Sequence, residues 1–369
     1  MLNWLLREMI SAPQQLFASV AAVASAFALV LFFNGVFTGE SKQIVALIDR
    51  TDAGVWVMQK GVGNMHMTTS FVSDWKVDAV AEVDGVAKVT PILYLNSVIE
   101  AGGRHWFSFV VGLEEGDARA GPWSPAGGDL LPGRGEAIVP DVFASDTGLA
   151  IGDPIRIGGR EFRVAGFSAD TFSMANSVSF VTMADLADIM SSVGSVSYML
   201  VDAEPGTDPA ALAARIREEV EEVNALPTRD FAARDFSIAV QMGLEIVWMM
   251  TLIGAALAVL LTSFVVYSHV SDREREIAMM KALGVRDRAI YGAMLAQALL
   301  LGLAAFAVAV GVVLVAIPLT DALMPKVSLG ITADALVRTG AVAVVTSLVA
   351  AVIPVRRVLS VDPVSAFQQ

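Results

Sequence analysis

The chain contains no cysteine, so neither a disulfide framework nor a thiolate metal site is available to it. Histidine is scarce as well. His66, His105 and His269 stand far apart in sequence and give a metal cluster little to build on. There is no G-x-S-x-G elbow, the carboxylates are scattered, and the lone Gly-x-Gly of "GVGNMHM" (61–67) reads as a turn rather than a phosphate cradle. No catalytic constellation emerges, and no bound metal or cofactor is expected. The most informative absence is that of charge. Ser11–Gly39, Ile246–Ser271, Ala289–Thr320 and Thr339–Val355 hold no Asp, Glu, Lys or Arg.

A helix needs about 20 apolar residues to cross about 30 Å of hydrocarbon. Three of the uncharged windows exceed that length and the fourth sits at its lower limit. Apolar residues make up 55% of the chain and the mean hydropathy is +0.63, more than a soluble domain usually carries. Buried core helices rarely run so far without charge. Four spans are therefore expected, at 13–39, 246–271, 289–320 and 339–355.

Lys and Arg near the span ends set the orientation. Arg7 precedes the first span, Arg273, Arg275, Lys281, Arg286 and Arg288 fill the 272–288 connector, and Arg356 and Arg357 follow the last span. Lys326 and Arg338 alone mark the opposite connector, 321–338. The expected topology places segment 1–12, the 272–288 loop and the 356–369 tail in the cytoplasm of a multi-pass inner-membrane protein of a bacterium. Residues 40–245 and the loop 321–338 then lie outside it. The first span has a rival reading as a cleaved signal peptide, with Ala24-Ser25-Ala26 as the cleavage site. The apolar run continues to Phe37, beyond the 7–15 residues or so of a signal core, which favours an uncleaved anchor. Met1–Ile10 reads as a short interfacial helix before Pro13.

Of the 38 acidic and 25 basic residues, 30 and 15 fall in Glu40–Glu245. That segment is thus net −15, and the rest of the chain +2. Such a balance speaks for solubility and against nucleic acid as a partner. Its periodicity is that of a mixed α+β domain. "GVWVMQ" (54–59) reads as a buried strand and "SDWKVDAVAEV" (73–83) as a helix ended by Gly85. Strands follow at 86–101, broken near Pro91, and at 105–112. A Gly/Pro-rich passage at 114–136 marks a linker or subdomain boundary. Beyond it come a short helix and a β-hairpin through Gly158-Gly159. "SVSYMLVDAE" (195–204) alternates like a strand and precedes a helix with Leu212, Ile216, Val220 and Val223 on one face. The expected architecture is two interrupted βαβ-type halves with a β-rich insert at about 114–190, carried by four transmembrane helices.

"SDREREIAMMKALGVRDRAI" (271–290) concentrates five basic and four acidic residues between two uncharged spans. Ile277, Met280 and Leu283 recur at helical spacing on one face. Gly284 is placed for a left-handed C-cap, and Asp287 to cap the next helix. The stretch reads as a helix–Gly–helix elbow at the cytoplasmic surface, with Arg273, Arg275 and Arg286 able to reach lipid phosphates or acidic partner residues. A small apolar face inside a charged rim is the pattern of a docking site. Within the spans, Gly254 and Ala258 in the second and Ala298 and Gly302 in the third suit close helix contacts, while Gln297 suits a hydrogen bond across an interface or within the bundle.

"REREIAMMKALGVRDRAI" resembles the loop between spans two and three of MacB/FtsX-type ABC transporter permeases. The ending "PVRRVLSVDPVSAF" is similar to that family's closing pattern, and "EAIVP…TGLAIGDPIRIGGREFRVAGF" to its outer domain. Phe367 and the terminal Gln368-Gln369 depart from that pattern. The resemblance implies a coupling element made of Glu274, Arg275, Glu276, Ile277, Lys281, Ala282, Leu283 and Gly284, docking on an ATP-binding subunit, with Arg273, Met280 and Arg288 beside them. The chain has no G-x-x-x-x-G-K-[ST] P-loop of its own, so ATP would be used by a separate ABC ATPase. The resemblance further implies a homodimer of non-enzymatic half-transporters that works with membrane lipids and, in an exporter, with a periplasmic membrane-fusion adaptor. Export or extraction of an amphiphilic, lipid-like or envelope substrate by mechanical transmission is the expected role. A transmitter that regulates a cell-wall hydrolase or senses an envelope signal is the alternative. No charge interrupts the middle of spans one, two or four, which argues against a polar ion pathway.

Overall fold

The computed structural model describes residues 13–174, 176–241, 245–272, 274–324 and 326–359, with side-chain detail leaving aside 239, 270, 274, 321, 322 and 353–359. Met1–Ile10, Arg7, Arg273 and the tail from 360 onward, and the side chains of Arg356 and Arg357, therefore lie outside it. The chain divides into a helical unit (Met1–Thr38, Glu245–Met324 and Leu329–Gln369) and an α/β unit (Gly39–Leu244 and Pro325–Ser328).

The helical unit is built on α1 (Pro13–Ile44), α8 (Glu245–Ser271), α10 (Asp287–Leu323) and α11 (Ala333–Leu359). All four are long and apolar enough to cross a membrane. They outrun the uncharged windows. The first turns of α11 carry an i,i+4 pair, Arg338–Asp334 at 2.6 Å, which supports helix ahead of the apolar run. Ala24 and Ala26, the residues of the alternative cleavage site, are buried in the bundle among Phe27, Ala258, Ala305 and Ala309.

Small residues set the helix spacing. A Cβ on Gly302 would fall 2.9 Å from the Ser347 Cβ of α11 and onto its hydroxyl, and one on Gly254 would lie 3.1 Å from Val30 Cγ2 of α1. Ala258 and Ala298 are buried at similar crossings and Gln297 is half-buried. These four small residues hold helices of one subunit together, as close packing in lipid requires.

The α/β unit carries one long sheet in the order β12-β1-β11-β3-β4-β9-β6-β8-β5, with β7 pairing β3 and β8. In chain order its strands are β1 (Val55–Gln59), β3 (Val86–Ala101), β4 (Arg104–Leu113), β5 (Pro125–Gly128), β6 (Glu136–Pro140), β7 (Pro154–Ile157), β8 (Arg160–Ser168), β9 (Val178–Thr182), β11 (Tyr198–Ala203) and β12 (Val223–Pro227). A short pair, β2 (Val72–Ser73) with β10 (Ser195–Val196), stands apart. The helices are α2 (Ala46–Arg50), α3 (Lys76–Ala81), α4 (Asp141–Thr147), α5 (Met183–Met190), α6 (Pro209–Glu219) and α7 (Thr228–Ala239).

Strand β3 joins the two halves and runs unbroken through Pro91, contrary to expectation. Proline has no ladder N–H to give, and here the strand changes partner. Residues up to Ile92 pair with β11, and those from Leu93 pair with β4. The Ser197 hydroxyl takes over at the join, accepting from the Tyr94 N–H at 3.0 Å. The hairpin at Gly158-Gly159 has φ of +56° and +82°, as its tight turn demands. Two other expectations change. The 73–83 helix is confined to Lys76–Ala81. The helix holding Leu212 and Ile216 ends at Glu219, because Glu222 at φ +56° turns the chain and Val223 opens β12. The Gly/Pro-rich passage is held rather than loose. Its Arg119 pairs with Asp202, and Ala120 is buried.

Candidate functional site

The charged stretch folds as an elbow. After α8, helix α9 (Glu274–Ala282) runs for 9 residues before the chain enters α10. Its end is a Schellman motif. The Val285 N–H donates to the Met280 carbonyl at 3.1 Å, the Gly284 N–H to the Lys281 carbonyl at 3.0 Å, and Gly284 sits at φ +84°. Met280 and Val285 pack against the same apolar cluster, the side-chain contact that accompanies this cap. Arg286, not Asp287, holds the N-cap position of α10. Asp287 lies in the first turn, 3.7 Å from Lys281 Nζ, where a carboxylate suits the helix dipole.

The apolar face divides in two. Ile277 and Ala278 are buried, with Ile277 in a cluster of Val266, Ile290, Met294, Ala298 and Ala351. Met280 is half-buried beside them, and the Lys281 side chain is only 12% exposed. Leu283 instead is 79% exposed and Met279 52%. Arg275, Glu276, Ala282, Gly284, Arg286 and Arg288 are exposed with them. Ile277 and Met280 thus fasten the elbow to the bundle, and Met279 and Leu283 form its open face, rimmed by Arg275 and Arg286. Met279 had no signal of its own in the sequence beyond being i+4 from Arg275 and i−4 from Leu283. Arg273 and the Glu274 side chain lie outside the described residues.

The root of the elbow is tied to α1. Gln15 Nε2 donates to Asp272 Oδ2 at 3.1 Å, and the Ser19 hydroxyl meets His269 Nε2 at 2.8 Å. Neither pair was legible from spacing, since the partners stand 257 and 250 positions apart.

Residues 16–219 match the family model described as the MacB-like periplasmic core domain, and residues 248–363 that of the FtsX-like permease C-terminal region. The chain belongs to the MacB/FtsX-type ABC transporter permeases. The permease is similar over its full length to two ABC transporter permeases of Mycobacterium tuberculosis. One is 23% identical over 365 residues and the other 24% over 363, each alignment covering 98% of both chains. Part of the permease also resembles the crystal structure of the periplasmic region of MacB from Actinobacillus actinomycetemcomitans. That likeness has a TM-score of 0.39 at 10% identity and covers 50% of the permease and 92% of that chain. As the permease of an ABC transporter it is a multi-pass, non-enzymatic subunit, and its type implies an ATPase partner.

In the α/β unit of the permease, the end of α1 and the segment 326–328 are both held. Asn176 Nδ2 donates to the carbonyls of Gln43, at 2.6 Å, and Ile44. Buried Glu40 accepts from the Ser328 N–H at 2.9 Å. Lys326 pairs with Asp146 at 2.6 Å and lies 5.0 Å over the Trp106 ring. Farther along, the "GVGNMHM" turn wraps onto α7. Fully buried Asp235 accepts from the N–H groups of Met65 and His66 and meets His66 Nδ1 at 2.7 Å. Burial, with the Asp235 charge nearby, pushes the Tyr198 phenol far above its ordinary value. Tyr198 therefore stays a neutral member of this core.

Proposed function

We propose that this permease transmits ATP-driven motion of a separate ATPase to its α/β unit. In this reading the 272–288 elbow and both termini face the cytoplasm of a bacterium, and the α/β unit lies outside the inner membrane. The observation that carries the reading is the divided elbow. One side of α9 is fixed to the bundle through Ile277, and the other presents Met279 and Leu283 between Arg275 and Arg286. Apolar side chains inside a charged rim are what a protein docking surface requires.

A push on α9 has stiff paths to follow. The Schellman cap fixes the angle to α10, the Gln15–Asp272 and Ser19–His269 pairs fix the root to α1, and α1 continues as one helix to Ile44. On the side of α8 the expected continuity falls partly on residues 242–244, outside the described residues. The permease acts as a homodimer in this reading, because a single elbow would engage one of two closing ATPase subunits. Gly254 and Gly302 are used within one subunit, so the dimer contact belongs to other, lipid-exposed faces. An amphiphilic, lipid-like or envelope substrate, handled from the membrane or beyond it with a membrane-fusion adaptor, fits the absence of mid-membrane charge in α1, α8 and α11.

Co-purification of the detergent-solubilised permease with its ATP-binding subunit tests this. Arg275→Glu and Leu283→Asp are expected to dissolve the complex while leaving the thermal unfolding of the permease unchanged. An undisturbed complex and undisturbed ATPase stimulation in both variants would exclude docking at the elbow.

A further inference from the structure

The α/β unit holds an open cleft of about 840 Å³ between the start of α3, the β2–β10 pair, the end of β4 and the start of α5. Its floor is apolar, with Leu93, Leu113 and Val196 buried there. Four carboxylates ring it, Asp74 and Asp78 on one side and Glu114 and Glu115 on the other, and no Lys or Arg lines it. All four are exposed, and among the described residues none is ion-paired.

Of the nearby cations, Lys88 pairs with Asp117 at 3.2 Å and Arg134 reaches Asp185 and Asp188. Lys76 stays at the mouth, its Nζ 5.5 Å over the Trp75 ring while donating to the Glu221 carbonyl at 2.7 Å, so the four carboxylates outnumber one adjacent lysine. The mouth carries Trp75, 63% exposed, and Val193, 81% exposed.

We infer that this cleft docks a basic segment of a partner polypeptide, whose apolar side chains enter the floor while Lys or Arg groups meet the four carboxylates. The charge fixes the sign of the occupant, since uncompensated carboxylates at close range repel an anionic headgroup or nucleic acid. A second α/β unit is a poor occupant, because this segment of the chain is itself net −15. The mouth fixes the size. A small amphiphile confined to the cleft would leave Trp75 and Val193 in water, whereas a polypeptide crossing the opening covers both, and tryptophan is a favoured anchor at such contacts. The inference does not depend on the elbow, and it is tested without any ATPase.

The test uses the full-length permease in nanodiscs of zwitterionic lipid. The probe is a fluorescein-labelled peptide of alternating lysine and leucine, followed by anisotropy, with empty nanodiscs as the background and a glutamate–leucine peptide as the sign control. Saturable binding of the lysine peptide alone is expected. Glu114→Gln combined with Glu115→Gln should weaken it by about tenfold, as should high salt, and Trp75→Ala should weaken it severalfold. These are surface substitutions, so an unchanged unfolding temperature shows that the variants are intact. Equal binding of both peptides, or undiminished binding by the carboxamide variant, would overturn the inference. So would displacement of the peptide by octylammonium at the peptide's own affinity, which would assign the cleft to a small cation instead.

Discussion

The N–H of Val285 donates to the carbonyl of Met280 across the turn at Gly284. That bond fixes the angle at which α9 leaves α10. A Cβ at Gly284 would meet no neighbouring atom within 4 Å, so the demand for glycine is purely conformational. Gly284→Ala should cost about 1 kcal/mol, and it should lower ATPase stimulation more than it lowers the unfolding temperature. Gly292→Ala, a glycine inside α10 with equally open surroundings, is the control.

Ile277 and Leu283 separate anchoring from docking. Ile277→Ala empties a buried position and should destabilise the helical unit by about 2–4 kcal/mol. Leu283→Ala removes an exposed side chain and should leave thermal unfolding in detergent unchanged while weakening the complex with the ATPase. Equal effects of both changes on unfolding would contradict the division of the helix face.

In the bundle, Gly302→Val should be far more damaging than Gly311→Val. The first drives a branched side chain into Ser347 of α11, and the second meets open space. Overpacking of a close helix contact costs about 1–3 kcal/mol, readable as a lowered unfolding temperature of the solubilised chain.

Asp235 serves three donors from a fully buried position. Asp235→Ala strands those donors and should cost about 3 kcal/mol. Asp235→Asn keeps one acceptor oxygen for the Met65 and His66 N–H groups and should recover part of the loss. Hydrogen exchange at Met65 and His66 would report the change locally.

Asp117 gives a pH signature in the α/β unit. Burial pushes its carboxyl up, but the Arg119 N–H and Lys88 outweigh burial and hold it below the ordinary carboxylate value. A lowered folded value means stability that is present above the ordinary carboxylate range and lost as pH falls through the lowered one. Lys88→Met should therefore cost less than about 1 kcal/mol at neutral pH, and the difference from the unchanged chain should vanish in acid.

Local signals carried the four spans, the Gly158-Gly159 hairpin and the Gly284 cap, because a long uncharged run or a positive φ is a property of a few adjacent residues. Relations between distant segments were not legible. Pro91 read as a break because only the handover from β11 to β4 lets a proline sit inside the strand. Val223 read as helix because its burial is the same on either element, and only the turn at Glu222 reassigns it. Ile277 and Leu283 shared a face by spacing, yet the bundle covers the first and leaves the second bare. His66 looked solitary, its partner Asp235 being 169 positions away.

Because the chain has no cysteine, one introduced thiol reports alone. Leu283→Cys, treated with a membrane-impermeant maleimide, tests the placement of the elbow and its docking together. The thiol should react in inside-out vesicles, stay unreactive in intact cells, and be shielded in inside-out vesicles once the ATP-binding subunit is added. Labelling from the outside of intact cells, or labelling indifferent to the ATP-binding subunit, would contradict the account.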